Sequence, residues 1–180
     1  MNKPFVVVLM GSESDLPAMK SAFQTLDDLG VAFEAKITSA HRTPEATRGY
    51  VVDAEKRGCA VFIAAAGMAA HLAGAVAALT TRPVIGVPME GGALNGHDAL
   101  LSTVQMPGGV PVACVAIGKA GAKNAAHLAA QILALGDAEL AARVRAGRAD
   151  NAQLVAAADA KLQTTLAAEA PNSAIPLQSD

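Results

Sequence analysis

The chain has 180 residues, enough for one compact domain whose core needs neither disulfides nor metals. Hydrophobic residues make up 52% and charged residues 17%, and the formal net charge is −2. With no basic cluster and no aromatic platform, nucleic acid is a poor partner, and with no apolar run near ~18 residues no transmembrane helix is expected.

From the N-terminus, "MNKPFVVVLMGSESD" reaches a Gly-Ser turn after six apolar residues and reads as a first strand, not a signal peptide. Leu16, Met19, Phe23, Leu26 and Leu29 then step by three and four, and Gly30 stops the helix predicted over 16–29. A strand follows at 31–37. Pro44 opens a helix over 44–57, with Tyr50, Val51 and Ala54 on its apolar face and Gly58 at its end. Further apolar runs at 60–66, 83–88 and 112–118 read as strands, and 120–135 as an Ala/Leu-rich helix.

Apolar runs alternating with helices call for parallel βαβ units buried on both faces. Five such strands predict a doubly wound, flavodoxin-like α/β sheet over 1–136. An additional helix over 137–169 carries Leu140, Val144, Leu154, Val155, Ala158, Leu162 and Leu166, with Gly147 weakening its middle. Its apolar stripe needs a surface to lie against, and a neighbouring subunit is the simplest one. The abundance of small apolar residues points the same way, towards an oligomer. The tail 170–180 has two prolines and little to bury, and is expected to be loosely held. Cys59 and Cys114 form no CxxC and read as buried thiols in a reducing compartment, with the cytoplasm as the natural location.

Ligands of such sheets bind beyond the carboxyl ends of the strands, where strand order reverses. Four loops therefore matter. In "MGSESDLP", Ser12, Ser14 and Asp15 stand where a helix begins, suited either to capping it or to holding a phosphate and a ribose. In "SAHRTP", Ser39, His41 and Arg42 combine a titratable imidazole with a guanidinium fork that fits phosphate or carboxylate, against the ordinary alternative of a capping or packing histidine. "AAAGMAAHLAG" is made of small residues that either admit a ligand to the backbone or allow tight helix packing, with His71 as a structural histidine at a helix start. The Gly-rich stretch 91–109 reads as a long flexible loop, with His97 and Asp98 as helix-start residues. "GKAGAKN" lacks the spacing of a P-loop. No H-E-x-x-H, G-x-S-x-G or Cys/His metal spacing occurs, so metal and serine-hydrolase chemistry are disfavoured.

The order "MGSESD", "SAHRTP", "AAHLAG", "GVPM…ALNG", "LLSTVQMPGGVPVA" and "AIGKAGAKNAAHLAAQIL" resembles the N5-carboxyaminoimidazole ribonucleotide mutases, the class I branch of the phosphoribosylaminoimidazole carboxylase family. The resemblance spans about residues 5–136. It implies a three-layer α/β/α fold, a homo-octamer with active sites between subunits, and no ATP, metal or organic cofactor. It also implies a ribonucleotide substrate whose carboxylate travels from the exocyclic nitrogen to a ring carbon by way of carbon dioxide. On matching positions, Ser12, Asp15 and Arg42 would bind the phosphoribosyl portion and His41 would be the general acid/base. Ser14 and Ser39 match neighbouring motif positions.

Two residues depart from that pattern. Met68 stands where the family usually has glycine, and Ala73 where it has proline. If that glycine has positive φ, Met68 strains the loop or reshapes the carbon dioxide pocket. Two other functions compete: a carboxylase that uses carbon dioxide directly, and a non-catalytic flavodoxin-like module. The near-absence of aromatics disfavours a flavin site, and Ala65, Ala66 and Gly67 stand where a receiver would carry its phosphorylatable aspartate.

Overall fold

A computed structural model describes residues 3–169; the tail expected to be loose at 170–180 lies outside the described residues. The chain divides into two units, 1–141 and 142–180. The first holds β1 (Phe5–Met10), α1 (Leu16–Asp28), β2 (Phe33–Ile37), α2 (Pro44–Arg57), β3 (Cys59–Ala66), α3 (Leu72–Ala77), β4 (Val84–Pro88), α4 (His97–Val104), β5 (Ala113–Cys114) and α5 (Gly118–Ala134). All strand pairs are parallel, in the order β2-β1-β3-β4-β5. This is the predicted flavodoxin-like sheet.

The order reverses between β1 and β3. Right-handed crossovers then place α1 on one face with α5, which packs against it, and α2, α3 and α4 on the other. Strand residues serve both faces in alternation. Val7 and Leu9 join Phe62 and Ala64 beneath Val51 and Ala54 of α2 and Leu72, Ala73 and Val76 of α3. Val6, Val8 and Ile63, also fully buried, turn to the opposite side. There α5 presents Ala122, Ala125, Ala126, Ala129 and Ala130, all buried, so it lies close to its neighbours.

Two elements differ from expectation. The strand foreseen over 112–118 pairs only at Ile85–Ala113 and Gly86–Cys114, with one more bond from Val115 N–H to the Gly86 carbonyl at 3.1 Å. Pro111 has no N–H to give, and Gly118 (φ +68°) turns the chain into α5, so the edge strand is short. The stretch 91–109 is not one long loop. Asn95 and Gly96, both at positive φ, launch α4, which buries Ala99 and Thr103. Gly147 does not interrupt the last helix, α6 (Ala138–Glu169), because a single glycine costs only about 1 kcal/mol among strong helix formers. Asp137 caps α6 by accepting the Leu140 N–H at 2.9 Å, and Leu140 is buried within the first unit. The described part of the second unit, 142–169, is helical, with Leu154, Val155, Leu162 and Leu166 exposed. Among the described residues no helix is long and apolar enough to cross a membrane.

Candidate active site

The loops after β1, β2 and β3 meet at the carboxyl edge of the sheet, around the point where strand order reverses. In the first, Ser12 starts a 3-10 turn over Glu13–Asp15. Asp15 accepts the Ser12 N–H at 3.1 Å, while Ser12 Oγ takes the Ser14 hydroxyl at 2.9 Å. Both readings of this loop thus have support: Asp15 and Ser12 cap the turn, and the same groups line a cavity. Burial pushes the Asp15 carboxyl above its ordinary range, and backbone N–H groups of Ser12 and Gly11 offset part of that rise.

The second loop is built on threonines. Thr38, buried after β2, shares a 2.7 Å hydrogen bond with Thr47 of α2, and Thr43 Oγ1 accepts the Ser39 N–H at 3.0 Å. Ser39 Oγ in turn accepts the Arg42 N–H at 3.1 Å, so Ser39 shapes the turn that presents His41 and Arg42. Arg42 reaches back to the first loop and donates from Nη2 to the Gly11 carbonyl at 3.0 Å.

The third loop holds Met68 at φ +53°, in the left-handed region that the departure from glycine made suspect. Its side chain is 62% exposed and lies beside Gly92, on the β4–α4 loop, where a Cβ on Gly92 would meet the Met68 Cγ at 3.3 Å. The carbonyls of Met68 and Ala69 accept N–H bonds from Ala70 and His71 at 2.9 and 2.8 Å, a tight double turn. Ser102 of α4 pins it, its Oγ accepting the Ala70 N–H at 3.1 Å. Ala73 lies buried in α3, against the sheet.

His71 stands at the start of α3 as expected, but packing is not its only contact. His41 Nε2 and His71 Nδ1 lie 2.6 Å apart, with the rings edge to face at 80°. The pair borders a cavity of about 450 Å³ whose walls include Ser12, Ser14, Asp15, Ser39, His41 and Arg42. All six residues singled out in the sequence therefore share one cavity. The sequence reading missed His71 as a site residue, and with it Glu90, Gly91 and Gly92 of the β4–α4 loop on the far wall. The available signal was positional: both loops follow strands at the carboxyl edge of the sheet, one after β3, which flanks the switch point, and one after its neighbour β4. His97, by contrast, bonds the Leu94 carbonyl at 3.0 Å at the start of α4 and is not among the cavity residues. Among the described residues no group of three or more His, Cys, Asp or Glu is arranged to hold a metal ion.

The cavity can take an anion at Arg42 and the serine hydroxyls, a hydroxyl-rich group at Asp15, and a proton at the histidine pair. Its Ala66–Gly67 wall offers backbone and a methyl group only, a surface without bulky side chains on which a small fragment can lie.

Comparison with known proteins gives this geometry a family. The family model described as AIR carboxylase matches residues 5–154. The N5-carboxyaminoimidazole ribonucleotide mutase of Bacillus subtilis is 55% identical over 153 residues, covering 85% of this chain and 94% of the relative. The protein of the same name from Pyrococcus horikoshii is 55% identical over 143 residues, covering 79% and 80%. The crystal structure of Treponema denticola PurE superposes with a TM-score of 0.81 at 32% identity, covering 88% of this chain and 98% of that one. This chain belongs to the AIR carboxylase family.

Proposed function

We propose that this chain is an N5-carboxyaminoimidazole ribonucleotide mutase of purine biosynthesis, producing 4-carboxy-5-aminoimidazole ribonucleotide. The observation that carries this reading is the cavity in which the loops after β1 and β2 bring an anion-binding arginine, three serines, a buried carboxylate and the His41 ring together, with the loop after β3 completing the wall. The shared name of relatives at 51–55% identity supports the reaction.

Arg42, Ser12 and Ser14 hold the phosphate, and Asp15 accepts from the ribose hydroxyls, with Ser39 keeping Arg42 in place. The substrate carries its carboxylate on the exocyclic nitrogen. Cleavage of that N–C bond releases carbon dioxide and leaves the electron pair on nitrogen, which takes a proton from the His41 imidazolium. The ring carbon then forms a new C–C bond to carbon dioxide and surrenders its hydrogen to the now neutral His41. One proton moves from carbon to nitrogen overall, and His41 ends as it began. Carbon dioxide is held between the two steps against the small residues of 64–74, so recapture is local and not bimolecular. The enzyme works without ATP, metal or organic cofactor. It acts in the cytoplasm as a homo-octamer, with the exposed leucines of 142–169 lying on a neighbouring subunit.

The test is an ultraviolet assay without ATP on wild type and His41→Asn. Fresh N5-carboxyaminoimidazole ribonucleotide should be converted rapidly and aminoimidazole ribonucleotide with bicarbonate weakly, and the substitution should lower kcat by ~10²–10⁴-fold. Efficient use of the second mixture alone would make the protein a carboxylase. Inactivity of folded protein with both would remove the assignment.

A further inference from the structure

We propose that His71 is the positioning residue for His41: its bare Nδ1 accepts the His41 Nε2–H, leaving Nδ1 of His41 as the nitrogen that exchanges a proton with substrate. The inference rests on the proposed mutase reading for its kinetic consequences, but the tautomer it assigns is independent of any substrate.

At 2.6 Å the two nitrogens share a single proton, so one ring donates and the other accepts. The chemistry selects which. His41 must be an imidazolium when it protonates the substrate nitrogen, and an imidazolium has two N–H groups and no lone pair. The acceptor in that state can only be His71, neutral and protonated at Nε2. The same bond persists when His41 is neutral if its remaining proton stays on Nε2. His41 then alternates at Nδ1 alone, and the ring need not turn between giving a proton to nitrogen and taking one from carbon.

His71 is built to hold still. Its N–H bonds the Ala69 carbonyl at 2.8 Å, its own carbonyl accepts the Ala75 N–H at 2.8 Å, and Ser102 pins the preceding turn. His41 is exposed on its loop, and the bond to His71 is the hydrogen bond recorded for its ring among the described residues. The edge-to-face contact, centroids 4.8 Å apart, fixes the ring plane as well. The other ionisable groups facing the cavity are Asp15, Arg42 and Glu90. None of them bonds the His41 ring.

Three measurements test this. Solid-state ¹⁵N NMR of histidine-labelled wild type, which has four histidines, reads the tautomers directly. At a pH where both rings are neutral, His41 should be protonated at Nε2 and His71 should have a bare Nδ1; a protonated His71 Nδ1 would overturn the proposal. His71→Ala should lower kcat ~10–30-fold with KM nearly unchanged and displace the acidic limb of the kcat profile. His71→Asn, whose Oδ1 takes the place of Nδ1, should restore most of that loss. An unchanged kcat in His71→Ala, or equal damage in the two variants, would leave His71 with a packing role only and sink the idea. Failure of wild type to convert the carbamate would reject the mutase assignment alone, because the NMR result decides the tautomer without turnover.

Discussion

Arg42 Nη2 donates to the Gly11 carbonyl at 3.0 Å, which ties the loop after β2 to the loop after β1 across the carboxyl edge of the sheet. Nε donates to Ser39 Oγ at 3.5 Å as well, so the guanidinium keeps three further N–H groups for an anion and needs only a small swing to present its fork. Arg42→Ala should raise KM for the ribonucleotide ~10–100-fold, the worth of one or two charge-assisted hydrogen bonds, with a smaller change in kcat. Arg42→Lys should fall between, since it keeps the charge and loses the fork. Steady-state kinetics on both variants provides the check, and a KM equal to wild type in Arg42→Ala would place the phosphate elsewhere.

Asp15 makes a stability prediction with a definite sign. Burial raises its pKa above the ordinary 3.8, so the folded chain binds this proton more tightly than the unfolded chain does. In the window just above 3.8, stability therefore falls as pH rises, because ionising the buried carboxyl is disfavoured. Asp15→Asn removes that dependence. Its stability relative to wild type should increase from acid towards neutral pH, while ribonucleotide binding weakens. Urea unfolding of both proteins across that range measures the difference, and a pH-independent gap would contradict the burial argument.

Met68 stores strain beside the cavity. A non-glycine residue in the left-handed region costs roughly 1–2 kcal/mol, and glycine's own entropy cost of roughly 0.5–1 kcal/mol leaves a small net gain. Because the side chain is 62% exposed, little apolar burial is lost in Met68→Gly. The melting temperature should rise by about 2–4 °C at most. A fall on calorimetry would mean that the Met68–Gly92 contact between the third and fourth loops outweighs the strain.

Two glycines in helices should respond with opposite signs to alanine. A Cβ on Gly121 would land on the carbonyl of Ala116, which is backbone and cannot step aside, so α5 would have to leave its place against β4. Gly121→Ala should lose at least the ~1–3 kcal/mol typical of overpacking, or fail to accumulate as folded protein. Gly147 of α6 has open space around the same position, and Gly147→Ala should gain up to ~1 kcal/mol from helix propensity. Circular-dichroism melts of both variants compare the two cases directly.

Much of this molecule is legible along the chain because the signals are local. Continuous apolar runs give β1, β3 and β4 to within a residue, and Pro44 and Gly58 bracket α2 where the sequence placed it. Parallel βαβ order follows from those elements, and it ranks the post-strand loops that supply Ser12, Asp15, Ser39, His41 and Arg42. Where local signals mislead, neighbours in space are the cause. The run 112–118 has strand composition, yet an edge position and the turn at Gly118 cut its pairing to two residues. In the Gly-rich stretch 91–109 the sequence marked only the start of α4, at His97 and Asp98, because its buried residues Ala99 and Thr103 matter only once β4 is beside them.

The partnership of His41 and His71 was beyond any local reading. The sequence by itself put each histidine after a strand, and left His71 as a helix-start residue. Their contact spans 30 positions and depends on β2 and β3 lying on either side of β1. That arrangement comes from right-handed crossovers closing a single sheet, a property of the whole packed unit. Side-chain type set what the two rings can do, and tertiary structure decided that they do it together.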